Sequence, residues 1–199
     1  MSYRYGKQKR IIDTLHKNPF NKRMCTSTLI SQRGQRKLIL DNIRDESATL
    51  IGSSSAGLQV PEYLRKKYTD FDVLTKNKAL PFALETEQEL DQFVNHNCFY
   101  ITVFEHNGIN TYRIRNRCKK GTDGKDDVVA DISSLRGAVS TTIINGIKVE
   151  TLSAREKALR KLIASTGADA LYRRKKDLLN LSYTIKYRKY YDNLYKKYH

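Results

Sequence analysis

The clearest pattern of apolar and polar positions lies between residues 99 and 114, where two segments alternate as half-buried strands do. Residues 99–104 and 111–114 flank Asn107-Gly108, a residue pair favoured in two-residue type I′ turns. We therefore predict an antiparallel hairpin with a core-facing set of side chains. A turn centred on this pair sets Ile101 opposite Ile114 and Val103 opposite Tyr112.

Five shorter segments are predicted to be further strands, because they are apolar or alternate in polarity and end at turn residues. They cover residues 48–51, 70–74, 128–132, 141–144 and 147–149. The last two flank Asn145-Gly146 and predict a second, smaller hairpin. A Gly/Ser-rich loop is predicted over residues 52–57, directly after the first of these strands.

Helical spacing of apolar residues and N-terminal capping sequences predict the helices. The predicted helices are residues 32–44, a helical turn at 62–68, a helix from Thr86 to Val94, residues 153–166, residues 169–181, and a last helix with a tyrosine stripe that includes Tyr183 and Tyr187. Residues 9–16 are predicted either as a short helix followed by irregular structure or as part of an arm that a partner orders. We expect the inner tyrosines of the last helix to pack on the body of the protein.

These elements predict an α+β fold, with a mixed sheet flanked by helices and a helical C-terminal subdomain. The predicted organisation is a basic N-terminal arm at 1–31, a core at 32–150 and a basic helical subdomain at 151–199. At 199 residues the chain is long enough to bury a sizeable core.

The formal net charge is +16, from 37 Lys and Arg against 21 Asp and Glu. Residues 1–50 carry +7 and residues 151–199 carry +9, whereas residues 51–150 are balanced. Two basic ends around a neutral middle favour a polyanionic partner, most often nucleic acid. A lysine-rich surface without such a partner is the alternative.

No apolar run approaches the ~20 residues that span a bilayer. No signal peptide is apparent after the basic N-terminus, so we expect no membrane association. The three cysteines are odd in number and lack a framework spacing. We therefore expect an intracellular, reducing compartment, the cytoplasm or a virion.

Three carboxylates stand on predicted strands in a pattern that suits metal chemistry. Asp70 and Asp72 point to the same face of one strand because they are two residues apart, and Asp131 lies between apolar neighbours on another. Mg²⁺ prefers such hard oxygen ligands together with substrate phosphates. With Asp131 added, the set predicts a two-metal site with ions about 4 Å apart. The backbone amides of the loop at Gly52-Ser53 suit a triphosphate.

The ordered set of Gly52-Ser53, the Asp70–Asp72 strand and Asp131 resembles the nucleotidyltransferase (DNA polymerase β-like) superfamily. Leu152-Ser153, Lys161-Leu162 and the segment 174–181 are similar to the helical signature of AbiEii-type nucleotidyltransferases. The resemblance covers about residues 34–181. Gly52-Ser53 replaces the more usual Gly-Gly, and Asn180 stands where the family tends to have Asp.

The resemblance implies a nucleotidyltransferase fold in which Asp70 and Asp72 hold both metal ions, Mg²⁺ or Mn²⁺. It also implies that Asp131 holds the catalytic ion and helps to accept the proton of the nucleophile. Gly52 and Ser53 would contact the triphosphate, and Lys161 would face the nucleotide phosphates.

The leading hypothesis is transfer of a nucleoside monophosphate from an NTP to an acceptor hydroxyl, on nucleic acid and specifically at an RNA 3′ end. Basic residues of the C-terminal helices are the candidate nucleic-acid contacts: Arg173, Arg174, Lys186, Arg188 and Lys189. One alternative is a catalytically idle fold that serves a nucleoprotein or virion assembly. Another is a toxin paired with a protein antitoxin, which the AbiEii resemblance permits. The simplest alternative makes the three aspartates solvated acids on strand faces.

Overall fold

The structure is a computed structural model that describes residues 8–12, 32–65, 70–76, 78–94, 97–106, 108–120, 126–135, 137–166 and 171–198. Eight strands lie within these ranges: β1 Gln8–Ile12, β2 Thr49–Ile51, β3 Phe71–Thr75, β4 Phe99–His106, β5 Ile109–Lys120, β6 Asp126–Ser134, β7 Thr141–Ile144 and β8 Ile147–Glu150. The α-helices there are α1 Gln32–Asp45, α2 Gly52–Leu58, α3 Ala79–Val94, α4 Leu152–Ser165 and α5 Leu171–Tyr198. A 3₁₀ turn covers Glu62–Leu64.

The eight strands form one mixed sheet in the order β1-β4-β5-β6-β3-β2-β8-β7. The pairs β3–β6 and β2–β8 are parallel, and the other neighbours are antiparallel. The predicted α+β class, with a mixed sheet and flanking helices, is confirmed. The boundaries drawn at residues 31/32 and 150/151 stay predictions.

The β4–β5 hairpin has the predicted register, with Ile101 opposite Ile114 and Val103 opposite Tyr112. Gly108 has a φ of +70°, as a type I′ turn requires, while Asn107 lies outside the described residues. The smaller β7–β8 hairpin also forms, and Ile144 pairs with Ile147 across its turn.

The main core lies on one face of the sheet, where β3 contributes the buried Phe71 and Val73. Helix α1 adds Ile39 and Ile43 to this core, and α3 adds apolar side chains that include Leu90. Side chains alternate between the two faces of a strand. Asp72, between the two buried β3 residues, therefore points to the opposite face, as predicted for a half-buried strand.

Of the two alternatives for residues 9–16, the short helix is wrong over residues 9–12, which belong to β1. Residues 13–16 lie outside the described part of the chain. Strand β1 pairs antiparallel with β4. An outer strand of a sheet presents unpaired backbone groups, and pairing with β4 satisfies the backbone of this segment better than one isolated helical turn would.

Residues 52–58 form α2, so the prediction of a Gly/Ser loop is wrong. The serines do not break the helix because their hydroxyls are bonded to the backbone of its first turn. Ser54 Oγ donates to the carbonyl of Ile51 at 3.2 Å, and Ser55 Oγ donates to the carbonyl of Gly52 at 3.0 Å. Both serines are buried, so α2 packs as part of the interior.

The helix predicted to begin at Thr86 begins instead at Ala79, and Thr86 lies buried in its middle. Pro81 fits the first turn, where its missing N–H has no helical partner in any case. Similarly, the N-cap of α4 is Thr151, whose Oγ1 accepts from the amide of Ala154 at 3.2 Å, rather than Ser153. Capping sequences alone therefore misplaced both helix starts.

The predicted helix at residues 169–181 and the predicted last helix are one helix of 28 residues, α5. Its sequence contains no Gly or Pro to end it, and Thr184 Oγ1 donates to the carbonyl of Asn180 within the helix. The expected packing of the inner tyrosines is confirmed for Tyr187, which is 2% exposed in a second apolar cluster with Ala56, Val60 and Leu152.

No helix in the described part of the chain is both long and apolar enough to cross a membrane. Among the described cysteines, Cys98 is buried and forms no disulfide. Cys118 is disulfide-bonded, which departs from the fully reduced state expected of the three residues. An odd number of cysteines leaves room for one disulfide beside a free thiol, so parity could not exclude it.

Candidate active site

The three predicted carboxylates come together on the face of the sheet opposite the main core. Strands β3 and β6 are parallel neighbours, and Asp72 stands directly opposite Asp131 in their register. Asp70 lies just before β3, two residues from Asp72, and therefore on the same side of the chain. The sequence pattern thus predicted both strands and the shared face of Asp70 and Asp72. The pairing of β3 with β6 is known from the structure.

Burial and mutual repulsion raise the pKa values of two of these acids. The pKa of Asp72 rises to about 7, because burial disfavours its charge and because Asp70 and Asp131 lie close by. Burial and then Asp131 also raise the pKa of Asp70. Arg155 from α4 and Lys176 from α5 oppose the rise at Asp72. Lys176 and then Arg113 oppose the rise at Asp70. At both acids, burial and repulsion outweigh the positive charge nearby.

Asp131 differs from the other two because an arginine neutralises it. Arg113 on β5 stands opposite Asp131 in the β5–β6 register. Its Nε donates to Oδ1 at 2.7 Å and its Nη2 donates to Oδ2 at 2.7 Å, so the pair is bidentate. The guanidinium also lies over the ring of Phe104, 4.7 Å from the ring centroid. Both oxygens of Asp131 are thus engaged by a cation that is itself held in place.

Gly52 brings the start of α2 directly against Asp72. It has a φ of +77°, and a Cβ added there would lie 2.2 Å from Asp72 Oδ2. The Gly52 amide donates to Glu150 Oε2 at 3.2 Å. Burial raises the pKa of Glu150, and Arg155 opposes that rise. Glycine is required here both for the backbone conformation and for the close approach of the carboxylate.

Replacing Gly52 with alanine is expected to destabilise the protein by about 2–4 kcal/mol, because a left-handed φ and a clash with Asp72 add together. Gly108 is the matched control, since its φ is +70° and a Cβ there meets nothing within 4 Å. We expect Gly108→Ala to lose only about 1 kcal/mol. Urea unfolding of both variants measures the difference, and equal losses would contradict the close approach to Asp72.

Ser53 lines a small pocket beside the carboxylates, between α2, α4 and α5. The pocket residues are Ser53, Ala56, Arg155, Asn180, Tyr183, Thr184 and Tyr187. Arg155 contributes the positive charge of this pocket and acts on both Asp72 and Glu150. Asn180, the position that departs from the AbiEii pattern, is buried and lies in the same wall.

Lys161, the predicted phosphate contact, lies exposed on α4. It follows Arg155 by six residues, which turns it about 240° around the helix. The structure therefore brings Arg155 to the carboxylates and places Lys161 on a different side of α4.

The predicted nucleic-acid contacts on α5 fall into two groups. Arg188 Nη1 pairs with Glu156 Oε2 at 2.7 Å, and Arg173 Nε lies 4.0 Å from Asp177 Oδ2. In contrast, Arg174, Lys186 and Lys189 are exposed. Their spacing places these three within an arc of about 120° along α5, on the outer side of the helix.

Sequence reasoning missed three charged residues of the site, namely Arg113, Glu150 and Arg155, whereas Lys176 lies in the segment 174–181 that the resemblance singled out. Arg113 had a signal, because the predicted hairpin put it on the strand that became the neighbour of β6. Glu150 and Arg155 come from β8 and α4, and no local pattern indicates that these elements approach β3.

The carboxylates fit a divalent cation in part. Among the described residues, no three Asp, Glu, His or Cys side chains are arranged to hold one metal ion. Asp70 and Asp72 suit Mg²⁺, which commonly binds one or two carboxylates together with phosphates and water. Their raised pKa values show that a nearby cation would be favourable. Asp131 fits less well as a ligand, because its bidentate bond to Arg113 places a guanidinium beside any ion that its remaining lone pairs could bind.

The crystal structure of the Megavirus polyadenylate synthase matches 83% of this chain with a TM-score of 0.58 and 16% sequence identity. The match covers 34% of that protein, so this chain spans about a third of its length. JHP933 from Helicobacter pylori matches 76% of this chain and 61% of its own, with 13% identity and a TM-score of 0.39. No protein-family profile and no curated protein matches the sequence.

The match to the Megavirus protein shows that the chain has a nucleotidyltransferase-like fold, in agreement with the resemblance of its motifs. The narrower AbiEii-type assignment stays a prediction.

Proposed function

We propose that this protein is a Mg²⁺-dependent nucleotidyltransferase that moves a nucleoside monophosphate from an NTP to an acceptor hydroxyl and releases pyrophosphate. The observation that carries the proposal is the half-buried Asp70–Asp72 pair, which lies beside Asp131 and against Gly52. Acids with raised pKa values are unfavourable for stability alone, and they are typical of functional sites.

In this proposal Asp70 and Asp72 hold the cation, Mg²⁺ or Mn²⁺. When bound, such an ion neutralises charge on the triphosphate and on the departing pyrophosphate. Arg155 and Lys176, which already face these acids, would contact phosphate oxygens, and Ser53 would donate from the adjoining pocket wall. Lys161, on another side of α4, would contact phosphate only beyond this pocket.

Asp131 would orient the acceptor. A carboxylate has about four lone-pair positions, and the bidentate bond to Arg113 uses two of them. One remaining position would accept a hydrogen bond from the attacking hydroxyl and hold its oxygen in line with the phosphate. Most of the rate enhancement would then come from positioning and from electrostatics.

The charge of α5 favours nucleic acid as the acceptor, with an RNA 3′ end as the first candidate. Arg174, Lys186 and Lys189 lie on one exposed side of a helix that also carries Lys176 to the carboxylates. These three cations suit the phosphates of a nucleic acid bound along the outer side of α5. The Megavirus neighbour is named a polyadenylate synthase, so ATP and RNA are the first substrates to test.

Lys186→Ala/Lys189→Ala is expected to weaken RNA binding and to make the slope of log affinity against log salt concentration shallower by about 1–2. The free energy of unfolding of this double variant should stay within ~0.5 kcal/mol of that of the wild type. Arg188→Ala should instead destabilise the fold by about 1–3 kcal/mol, because it leaves the buried Glu156 with one fewer partner. Fluorescence anisotropy at several salt concentrations and urea unfolding measure the two effects. Unchanged binding by the double variant would exclude this surface.

A catalytically idle fold within a nucleoprotein or virion assembly is the second candidate. The Arg113–Asp131 pair favours it, since it engages an acid that the resemblance assigns to metal. Metal-dependent NTP binding would be absent in that case.

A toxin restrained by a protein antitoxin would instead arrest growth on expression, and Asp70→Asn would relieve the arrest.

Transfer of label tests the proposal. The protein is incubated with each α-labelled NTP in turn, with Mg²⁺ or Mn²⁺ and with total RNA. We expect label on RNA from at least one NTP and none after addition of EDTA. The absence of transfer with all four NTPs and both metals, under conditions where the protein is folded, would refute the proposed activity.

A further inference from the structure

Arg113, Asp131 and Asp72 form one row across three neighbouring strands. Arg113 faces Asp131 across β5–β6, and Asp131 faces Asp72 across β6–β3. Residues in register on adjacent strands present their side chains on the same face of a sheet. A fixed cation is therefore built into the sheet at one end of the carboxylate set.

The guanidinium is held on two sides. It makes two charge-assisted hydrogen bonds of 2.7 Å with Asp131, and it lies over the Phe104 ring at 4.7 Å. The Arg113 and Asp131 side chains are 29% and 16% exposed, so water competes weakly for the pair. An Arg–carboxylate fork of this kind is specific in geometry and strong for a protein ion pair.

Asp70 and Asp72 have no such partner among the described residues. Arg155 and Lys176 act on the pKa of Asp72, and Lys176 and Arg113 act on that of Asp70, in each case through charge rather than through a hydrogen bond. A divalent cation thus meets two different environments on this face. Near Asp70 and Asp72 it meets acids to which no cation of the described residues is hydrogen-bonded, and near Asp131 it meets the bonded guanidinium of Arg113.

We propose that the site takes a single divalent cation, held by Asp70 and Asp72, and that the Arg113 guanidinium occupies the place of a second one. The inference rests on the proposed function only in treating Asp70 and Asp72 as a cation site. It replaces the two-metal arrangement that the sequence predicted. A second ion would have either to bind Asp131 beside the guanidinium, against the repulsion of two cations, or to displace Arg113 and leave it unpaired, and both are unfavourable.

Manganese binding tests this without any measurement of transfer. Mn²⁺ is titrated into the full-length protein, and free ion is followed by electron paramagnetic resonance. We expect one Mn²⁺ per chain for the wild type and two for Arg113→Gln. Arg117→Gln is the matched control, because Arg117 lies on the same strand and over Tyr100 at the same 4.7 Å. That variant should bind one Mn²⁺.

Asp131→Asn provides a second test should Arg113→Gln fold poorly. Because Asp131 is no ligand in this proposal, the variant should keep one Mn²⁺ with a Kd within two-fold of the wild type. Asp70→Asn/Asp72→Asn should lose it. Two Mn²⁺ on the wild type, one on folded Arg113→Gln, or a loss of Mn²⁺ in Asp131→Asn would overturn the inference and leave the proposed transfer standing. No Mn²⁺ on the wild type would overturn both.

Discussion

Asp72→Asn is expected to reduce nucleotidyl transfer by about 1,000-fold or more, which corresponds to ~4 kcal/mol of lost transition-state stabilisation. Asparagine keeps the shape of the side chain and removes the charge that would bind the cation. Asp72 also touches Gly52 and stands in register with Asp131, so its carboxylate lies at the centre of the site. Asp70→Asn and Asp131→Asn should also abolish transfer, Asp131→Asn because it disturbs the group that orients the acceptor.

The rates are measured under single-turnover conditions with labelled NTP and the acceptor identified for the wild type. Asp192→Asn is the control, because Asp192 is an exposed acid on α5 away from the described carboxylates. It should keep full activity. Far-UV circular dichroism and urea unfolding establish that each variant is folded. A folded Asp72→Asn protein with more than a tenth of the wild-type rate would remove Asp72 from the mechanism.

The free energy of unfolding of the wild type should fall, relative to that of Asp72→Asn, as the pH rises from about 4 to 7. In the folded protein the pKa of Asp72 is about 7, against 3.8 for the unperturbed group. Between these values the folded state keeps a proton that the unfolded chain has lost, so raising the pH favours unfolding. Since Asp72 retains some access to solvent, we expect a difference on the order of 2 kcal/mol by pH 8, less than the full shift would give.

Urea unfolding of the wild type and of Asp72→Asn at pH 4.5, 6, 7 and 8 measures this difference. The free energy of unfolding of Asp72→Asn, relative to that of the wild type, should increase with each step in pH, and that of Asp192→Asn should not. Adding 10 mM Mg²⁺ at pH 8 should stabilise the wild type and close part of the gap, because a bound ion favours the folded state. Parallel stability curves for the wild type and Asp72→Asn would contradict the raised pKa of Asp72.

Local sequence pattern was sufficient to predict the strands that carry the acids and the neighbouring β4–β5 hairpin. The β4–β5 hairpin and its register followed from Asn107-Gly108 and from alternation, and the shared face of Asp70 and Asp72 followed from a spacing of two. Such features depend on neighbours in sequence, where turn geometry and the pleat leave few choices. The pairing of Asp72 with Asp131 joins strands far apart in the chain, and no local rule fixes it.

The wrong predictions concern segments whose structure does not follow from their neighbours in sequence. Residues 52–58 look like a loop because Gly and Ser favour turns, yet burial and hydroxyl-to-backbone bonds make them helical. Residues 9–12 are a strand because the outer edge of β4 pairs with them. In both places the tertiary surroundings decide the structure, and the propensity of the segment does not.

The charged partners of the site were the least accessible from sequence. Arg113 is one of many arginines in a basic chain, and its role depends on a register between β5 and β6 that includes an irregularity next to it. Arg155 resembles an ordinary surface cation of a helix, and Lys176 is one of four consecutive basic residues at 173–176. Lys161, chosen from the resemblance, stands on the same helix as Arg155 and on a different side.

Equilibrium binding of NTP is the measurement that bears most directly on the claim that these carboxylates form a nucleotide–metal site. Each α-labelled NTP is dialysed against the wild type and against Asp70→Asn/Asp72→Asn, with Mg²⁺ and with EDTA. We expect the wild type to bind at least one NTP with Mg²⁺, with affinity at least ten-fold lower in EDTA or in the double variant. Equal binding by the folded double variant, or no binding by the wild type with Mg²⁺, would contradict the claim.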